Sequence, residues 1–180
     1  MNILVNLLTL SRAISGPIIF ALLVVLNRPI LALTITIISS LTDYLDGYLA
    51  RKYKVVSNFG KTFDPLADKV VIVFCFISLT IILDSTFVAF CSALIISREI
   101  LVTGVREFAA SSGLREVLAV SFIAKIKTAL QLFTICSYQL SLILDSALAI
   151  FINHWILLLA TLITMKTGVD YFQKLQKQMS

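Results

Sequence analysis

Six long apolar runs, parted by five polar breaks, set the layout of this chain. The runs cover roughly residues 7–27, 30–50, 62–83, 86–107, 119–143 and 147–171. The breaks are Asn27-Arg28-Pro29, Arg51 to Gly60, Asp84-Ser85, Ala109 to Glu116 and Asp145-Ser146. Each run approaches the ~20 residues that a helix needs to cross a bilayer core. Pro29, Gly60 and Gly113 punctuate helices, and Ser111-Ser112 ahead of Gly113 reads as a turn. The pattern predicts an all-α polytopic membrane protein with six transmembrane helices, residues 1–180 forming a single membrane domain. Ahead of the first run, Asn2, Asn6, Thr9 and Arg12 recur at steps of four, three and three. That polar stripe predicts a short amphipathic helix lying at the interface. No basic leader precedes the first apolar residues, so residues 1–12 read as mature protein rather than as a cleaved signal.

Composition agrees with the pattern. Hydrophobic residues fill 59% of 180 positions and charged residues 14%, whereas a soluble domain is usually about half apolar and about a quarter charged. The mean hydropathy of +0.99 exceeds what one soluble core can absorb. Cys75, Cys91 and Cys136 lie apart in apolar runs with no Cys-x-x-Cys pair, and read as small buried hydrophobes. His154 is the only histidine and sits beside Trp155; with no catalytic partner nearby it reads as a packing or interfacial residue.

Charge then orients the chain. With both termini inside, the inner segments and span ends hold fourteen of the fifteen basic residues, and the outer loops hold only Arg28. The positive-inside rule places that face in the cytoplasm. The net charge of +5 sits there, where it attracts anionic headgroups or anionic substrates. Nucleic acid is not an expected partner, since this basic face belongs to a membrane protein with no binding motif.

The chemistry concentrates between Asp43 and Asp68. Asp43, Asp46, Gly47 and Ala50 follow i, i+3, i+4, i+7 and share one helix face; Gly60, Asp64 and Asp68 step by four and share another. A short basic turn joins the two helices, so they are expected to be antiparallel neighbours with two carboxylates opposing two. An Asp at a span centre costs roughly 2.5–3.5 kcal/mol to insert, and four together also repel. Hard divalent cations such as Mg²⁺ or Mn²⁺ offset both problems and keep positions open for phosphate. Two ions ~3.5–4 Å apart can clamp a phosphoryl group. A plain salt-bridge network with Arg51, Lys61 and Lys69 would not need two aligned pairs of acids.

This stretch reads Asp-x2-Asp-Gly-x2-Ala-Arg-x8-Gly-x3-Asp-x3-Asp, from Asp43 to Asp68. It resembles the CDP-alcohol phosphotransferase family at every signature position. Further pieces across residues 2–131 resemble the branch that joins CDP-diacylglycerol to sn-glycerol 3-phosphate. They are Asn6-Leu-Leu-Thr9-Leu-Ser-Arg12, Ser57-Asn58-Phe59-Gly60-Lys61, Asp64-Pro65-Leu66-Ala67-Asp68-Lys69, Ser97-Arg98-Glu99-Ile100, Arg106-Glu107 and Lys125-Ile-Lys127-Thr128. The last span resembles nothing specific.

The resemblance implies a six-helix homodimer in the cell (inner) membrane, working in phospholipid biosynthesis with its site on the cytoplasmic side. It implies that Asp43, Asp46 and Asp64 bind two Mg²⁺ or Mn²⁺ ions, with Asp68 contributing to one of them and acting as general base. Gly47, Ala50, Arg51, Gly60 and Thr9 would line the CDP site. An acceptor that carries phosphate needs cations, and Arg98, Arg106, Lys125 and Lys127 are the candidates, against simple snorkelling to headgroups. Glu99, Thr103 and Arg106 share a face, while Arg98 lies ~100° round the helix from Glu99. Lys125 and Lys127 point to nearly opposite sides, so only one can face the site.

Three rival readings remain. Serine, inositol or a second lipid could be the acceptor in the same chemistry. A channel or transporter would want polar residues along several spans, and here the outer halves read as almost wholly apolar. An aspartyl protease would leave Gly47, Ala50, Arg51 and Gly60 unexplained.

Overall fold

A computed structural model describes the backbone of residues 2–53, 58–111 and 122–179, and side chains at 10–42, 66–67, 69–111 and 122–177. Six α-helices make up the described chain: α1 Asn2–Phe20, α2 Pro29–Tyr53, α3 Asn58–Leu83, α4 Thr86–Ser111, α5 Phe122–Ile143 and α6 Ala147–Met179. α1 runs on into one π-helical turn, Ala21–Val25. No strand occurs among the described residues. Among the described residues two helices, Thr86–Ser111 and Ala147–Lys177, are long and apolar enough to cross a membrane.

The three tight turns use one device. Asn27, Asp84 and Asp145 all have positive φ, between 42° and 49°, a left-handed conformation that Asn and Asp tolerate better than bulkier side chains. Ser85 and Ser146 follow two of them. Their hydroxyls accept from the backbone N–H of Val88 (3.4 Å) and Ala149 (3.3 Å), capping α4 and α6. Pro29 opens α2 at the first helical position, where its missing N–H costs nothing.

The separate interfacial helix expected at the N-terminus is absent: α1 is continuous from Asn2 to Phe20. Nothing between Asn2 and Ser15 breaks a helix, and Pro17 is tolerated inside it. The polar stripe also turns inward at its described end. Arg12 is buried, whereas Leu10, Ile14 and Ile18 are exposed. In a protein surrounded by lipid the apolar face points outward and the polar face into the bundle. Gly60 likewise lies within the first turn of α3 rather than ahead of it.

α2 and α3, expected to be antiparallel neighbours, would meet at their aspartate ends, whose side chains lie outside the described residues. In their described parts α2 packs on α1 and α5, while α3 packs on α1, α4 and α5. α1 comes close to α3 at Gly16. A Cβ there would stand 3.1 Å from Phe74 Cδ2 and 3.2 Å from the Val70 carbonyl oxygen, so α1 fits against α3 at backbone distance. Gly16→Ala should therefore lower stability by about 1–3 kcal/mol, the usual range for overpacking, as a fall in melting temperature in detergent. An unchanged melting temperature would show that α1 and α3 separate at no cost.

The outside of the bundle is apolar, with Val25, Phe122, Leu148 and Trp155 among the most exposed side chains. The main core gathers Ile19, Cys75, Phe76, Leu79, Ile95 and Leu157. A smaller one holds Val102, Ala109, Ala124 and Tyr171. The end of the bundle expected to be almost wholly apolar carries uncharged polar contacts instead. Gln139 Nε2 donates to Thr36 Oγ1 at 3.1 Å, Asn153 Nδ2 to Ser141 Oγ at 2.7 Å, and Ser137 Oγ to Asn153 Oδ1 at 2.6 Å. Such bonds hold helices together where apolar surface alone gives no preference for helix over lipid. His154 packs between aromatic rings, 5.5 Å from Phe87 and 5.9 Å from Tyr138.

Candidate active site

Between the two apolar clusters lies a polar layer. On α4 it follows Ile95 and precedes Val102; on α5 it falls between Ala124 and Ile135; on α6, between Leu157 and Tyr171. Its members are Arg98, Glu99, Lys127, Gln131, Thr164 and Thr167, all buried. The layer borders a cavity of about 200 Å³ lined by residues that include Lys69, Arg98, Glu99, Arg106, Lys127 and Tyr171. That is below the ~300–1,000 Å³ of a drug-sized site. It is of a size for a small polar group.

Glu99 is the hub. Its carboxylate oxygen Oε1 accepts from Arg98 Nη1 (3.2 Å), Gln131 Nε2 (3.2 Å) and Lys127 Nζ. Its backbone carbonyl accepts from Lys69 Nζ at 3.3 Å and Thr103 Oγ1 at 2.7 Å. Gln131 Nε2 is itself fixed by Thr164 Oγ1 at 2.9 Å.

Arg98 shows how length defeats helical angle. The period sets it off the Glu99 face, but its three methylenes carry the guanidinium round to Glu99 and across to α6. There Nη2 donates to Thr167 Oγ1 at 2.9 Å, and the guanidinium sits 5.8 Å from the centre of the Tyr171 ring. Gly168 makes the space: a Cβ there would be 3.0 Å from Arg98 Cγ. Arg98 and Lys127 are both about 6% exposed, so neither snorkels. Arg106 is exposed at the cavity wall. Lys127 lines the cavity, while Lys125 is exposed and lies outside the lining.

The aspartate stretch lies on described helices, but its side chains lie outside the described residues. Asp43, Asp46, Gly47, Ala50 and Arg51 fall in the last turns of α2, Gly60, Asp64 and Asp68 in the first turns of α3, and Thr9 in α1. Asp68 directly precedes Lys69 and stands four residues before Ile72, both of which line the cavity. Among the described residues no group of three His, Cys, Asp or Glu could hold a metal.

Sequence reasoning missed the contribution of α6. Thr164, Thr167, Gly168 and Tyr171 follow i, i+3, i+4, i+7. Ala124, Lys127, Thr128 and Gln131 repeat that spacing on α5. A small or polar stripe on an otherwise apolar helix is the signal that could have found them, because lipid drives such a stripe inward.

Comparison with known proteins shows the family. The family described as CDP-alcohol phosphatidyltransferase matches residues 2–166. A relative from Rickettsia felis, named CDP-diacylglycerol–glycerol-3-phosphate 3-phosphatidyltransferase, is 37% identical over 181 residues, covering 96% of this chain and 94% of its own. One of the same name from Rickettsia typhi is 37% identical over 182 residues, covering 96% and 97%. Another from Escherichia coli K12 is 37% identical over 129 residues, covering 71% of each chain.

Proposed function

This chain belongs to the CDP-alcohol phosphatidyltransferase family, and on that premise we propose that it transfers the phosphatidyl group of CDP-diacylglycerol to sn-glycerol 3-phosphate. The products are phosphatidylglycerophosphate and CMP, and the reaction belongs to phospholipid biosynthesis. One observation carries the choice of acceptor: among the described residues, the cavity beside α3 is lined by Lys69, Arg98, Arg106 and Lys127 against Glu99. That excess of positive over negative side chains in the described lining suits a phosphate dianion. Serine and inositol carry no phosphate and would leave it uncompensated.

Asp68 removes the proton from the acceptor hydroxyl. The hydroxyl oxygen attacks the lipid-bearing phosphorus, the new P–O bond forms, and the bond to CMP breaks with its electrons leaving on CMP. Gly47, Ala50, Arg51, Gly60 and Thr9 hold the CDP portion. Asp43, Asp46 and Asp64, with Asp68, would hold two Mg²⁺ or Mn²⁺ ions, which neutralise the diphosphate when bound. Arg98, Arg106 and Lys127 hold the acceptor phosphate, with Lys69 beside them. Lys125, exposed and outside the described lining, is placed further from that phosphate than Lys127.

The chain works as one unit with six spans in the cell (inner) membrane, both termini cytoplasmic, as a homodimer. The concentration of basic residues at the cavity end supports that orientation, since Arg28 alone lies by the opposite turns.

Purified protein given CDP-diacylglycerol, Mg²⁺ and a panel of acceptors should release CMP with glycerol 3-phosphate and not with serine or inositol. A lipid product carrying a different alcohol would sink the proposal. Gly168→Ala should raise the KM for glycerol 3-phosphate by up to about tenfold, because the displaced Arg98 loses binding energy. The KM for CDP-diacylglycerol should stay within about twofold; equal rises in both would argue against a separate acceptor cavity.

A further inference from the structure

An acid inside an anion-binding cavity needs an explanation, because it repels the ligand. Glu99 lines the cavity and is about 95% buried. Three of the four cations around the cavity bond to it: Arg98 and Lys127 through the carboxylate, Lys69 through the backbone carbonyl. Buried cations without a counter-charge are costly, and they swing away or lose their protons before a ligand arrives. A single carboxylate prevents that and still leaves the cavity positive.

We infer that Glu99 is a positioning residue, holding Arg98 and Lys127 aimed into the cavity so that the phosphate of the acceptor meets a preset pair of donors. The inference rests on the acceptor reading above. The architecture around Glu99 supports it. Gln131 donates to the same oxygen and is braced by Thr164, and the opposite end of the guanidinium is braced by Thr167. Arg98 Nε is buried with no partner among the described residues, so the guanidinium keeps a donor beyond those its neighbours use. Preset donors lower the cost of binding because less side-chain freedom is lost when the ligand arrives.

The test is kinetic, on the purified full chain in detergent. Glu99→Gln should raise the KM for glycerol 3-phosphate about tenfold or more while the KM for CDP-diacylglycerol stays within about twofold. Glu99→Gln combined with Gln131→Glu returns a carboxylate to a position about 3 Å away and should recover most of the loss. A Glu99→Gln protein with a lower melting temperature but unchanged kinetic constants would overturn the inference, as would equal rises in both KM values. If that variant does not accumulate, Gln131→Met decides, with a smaller rise confined to the same KM expected and no rise overturning it. Thermal stabilisation by inorganic phosphate separates the two proposals. A wild-type protein that binds phosphate but does not turn over glycerol 3-phosphate sinks the acceptor reading. Should Glu99→Gln then lose the phosphate-induced stabilisation, the role of Glu99 stands; should it keep it, that role falls too.

Discussion

Asp68→Asn should lower turnover by about 10²–10⁴-fold, the usual contribution of a positioned general base. Asparagine keeps the size and polarity of the side chain but cannot accept the acceptor proton. The loss should fall mainly on kcat, with the KM for glycerol 3-phosphate little changed, because binding through Arg98, Arg106 and Lys127 does not involve Asp68. Its place in α3, next to Lys69 and one turn before Ile72 on the cavity wall, is suited to a hydroxyl whose phosphate lies among those cations. CMP release measured at saturating Mg²⁺ is the readout. Turnover within about threefold of wild type would remove Asp68 from the proton step.

The second large effect concerns the buried ion pair. Lys127→Met should cost about 3 kcal/mol of stability, the lower end for stripping one partner from a buried pair, because Glu99 keeps Arg98 and Gln131. The same change should raise the KM for glycerol 3-phosphate more than about tenfold by removing a phosphate ligand. Stability and binding then come apart in the double variant. Lys127→Met with Glu99→Gln removes the carboxylate that lost its lysine but also takes the counter-charge from Arg98, so the melting temperature should return only in part. The KM should not return. A coupling of about 1–3 kcal/mol between the two positions is expected from the thermodynamic cycle. Additive effects would show that the two side chains do not depend on each other, against their direct contact.

These predictions draw unequally on sequence and structure. Asp68 was legible at once, because helix geometry turns linear spacing into a shared face, and steps of three and four leave few alternatives. The pairing of Lys127 with Glu99 was not. Their separation of twenty-eight positions says nothing about distance until α4 and α5 are set beside α6. The choice between Lys125 and Lys127 was reduced to two by the helical period, but only packing could make it. Arg98 was set off the Glu99 face by the same period, and the length of its side chain overrode the angle.

The sequence by itself determined the all-helical class, the three turns at Asn27, Asp84 and Asp145 and the family signature, since each depends on local spacing or on composition against lipid. Asn27, Asp84 and Asp145 mark tight turns because few other residues accept a left-handed backbone. Tertiary structure decided which helices meet, that the N-terminal stripe turns inward at Arg12, that α6 braces Arg98, and that Glu99 joins three cations. Those outcomes depend on side chains meeting from helices distant in the chain. They turn on a few close approaches, at Gly16 and Gly168, whose effect is visible only once the neighbouring helix is in place.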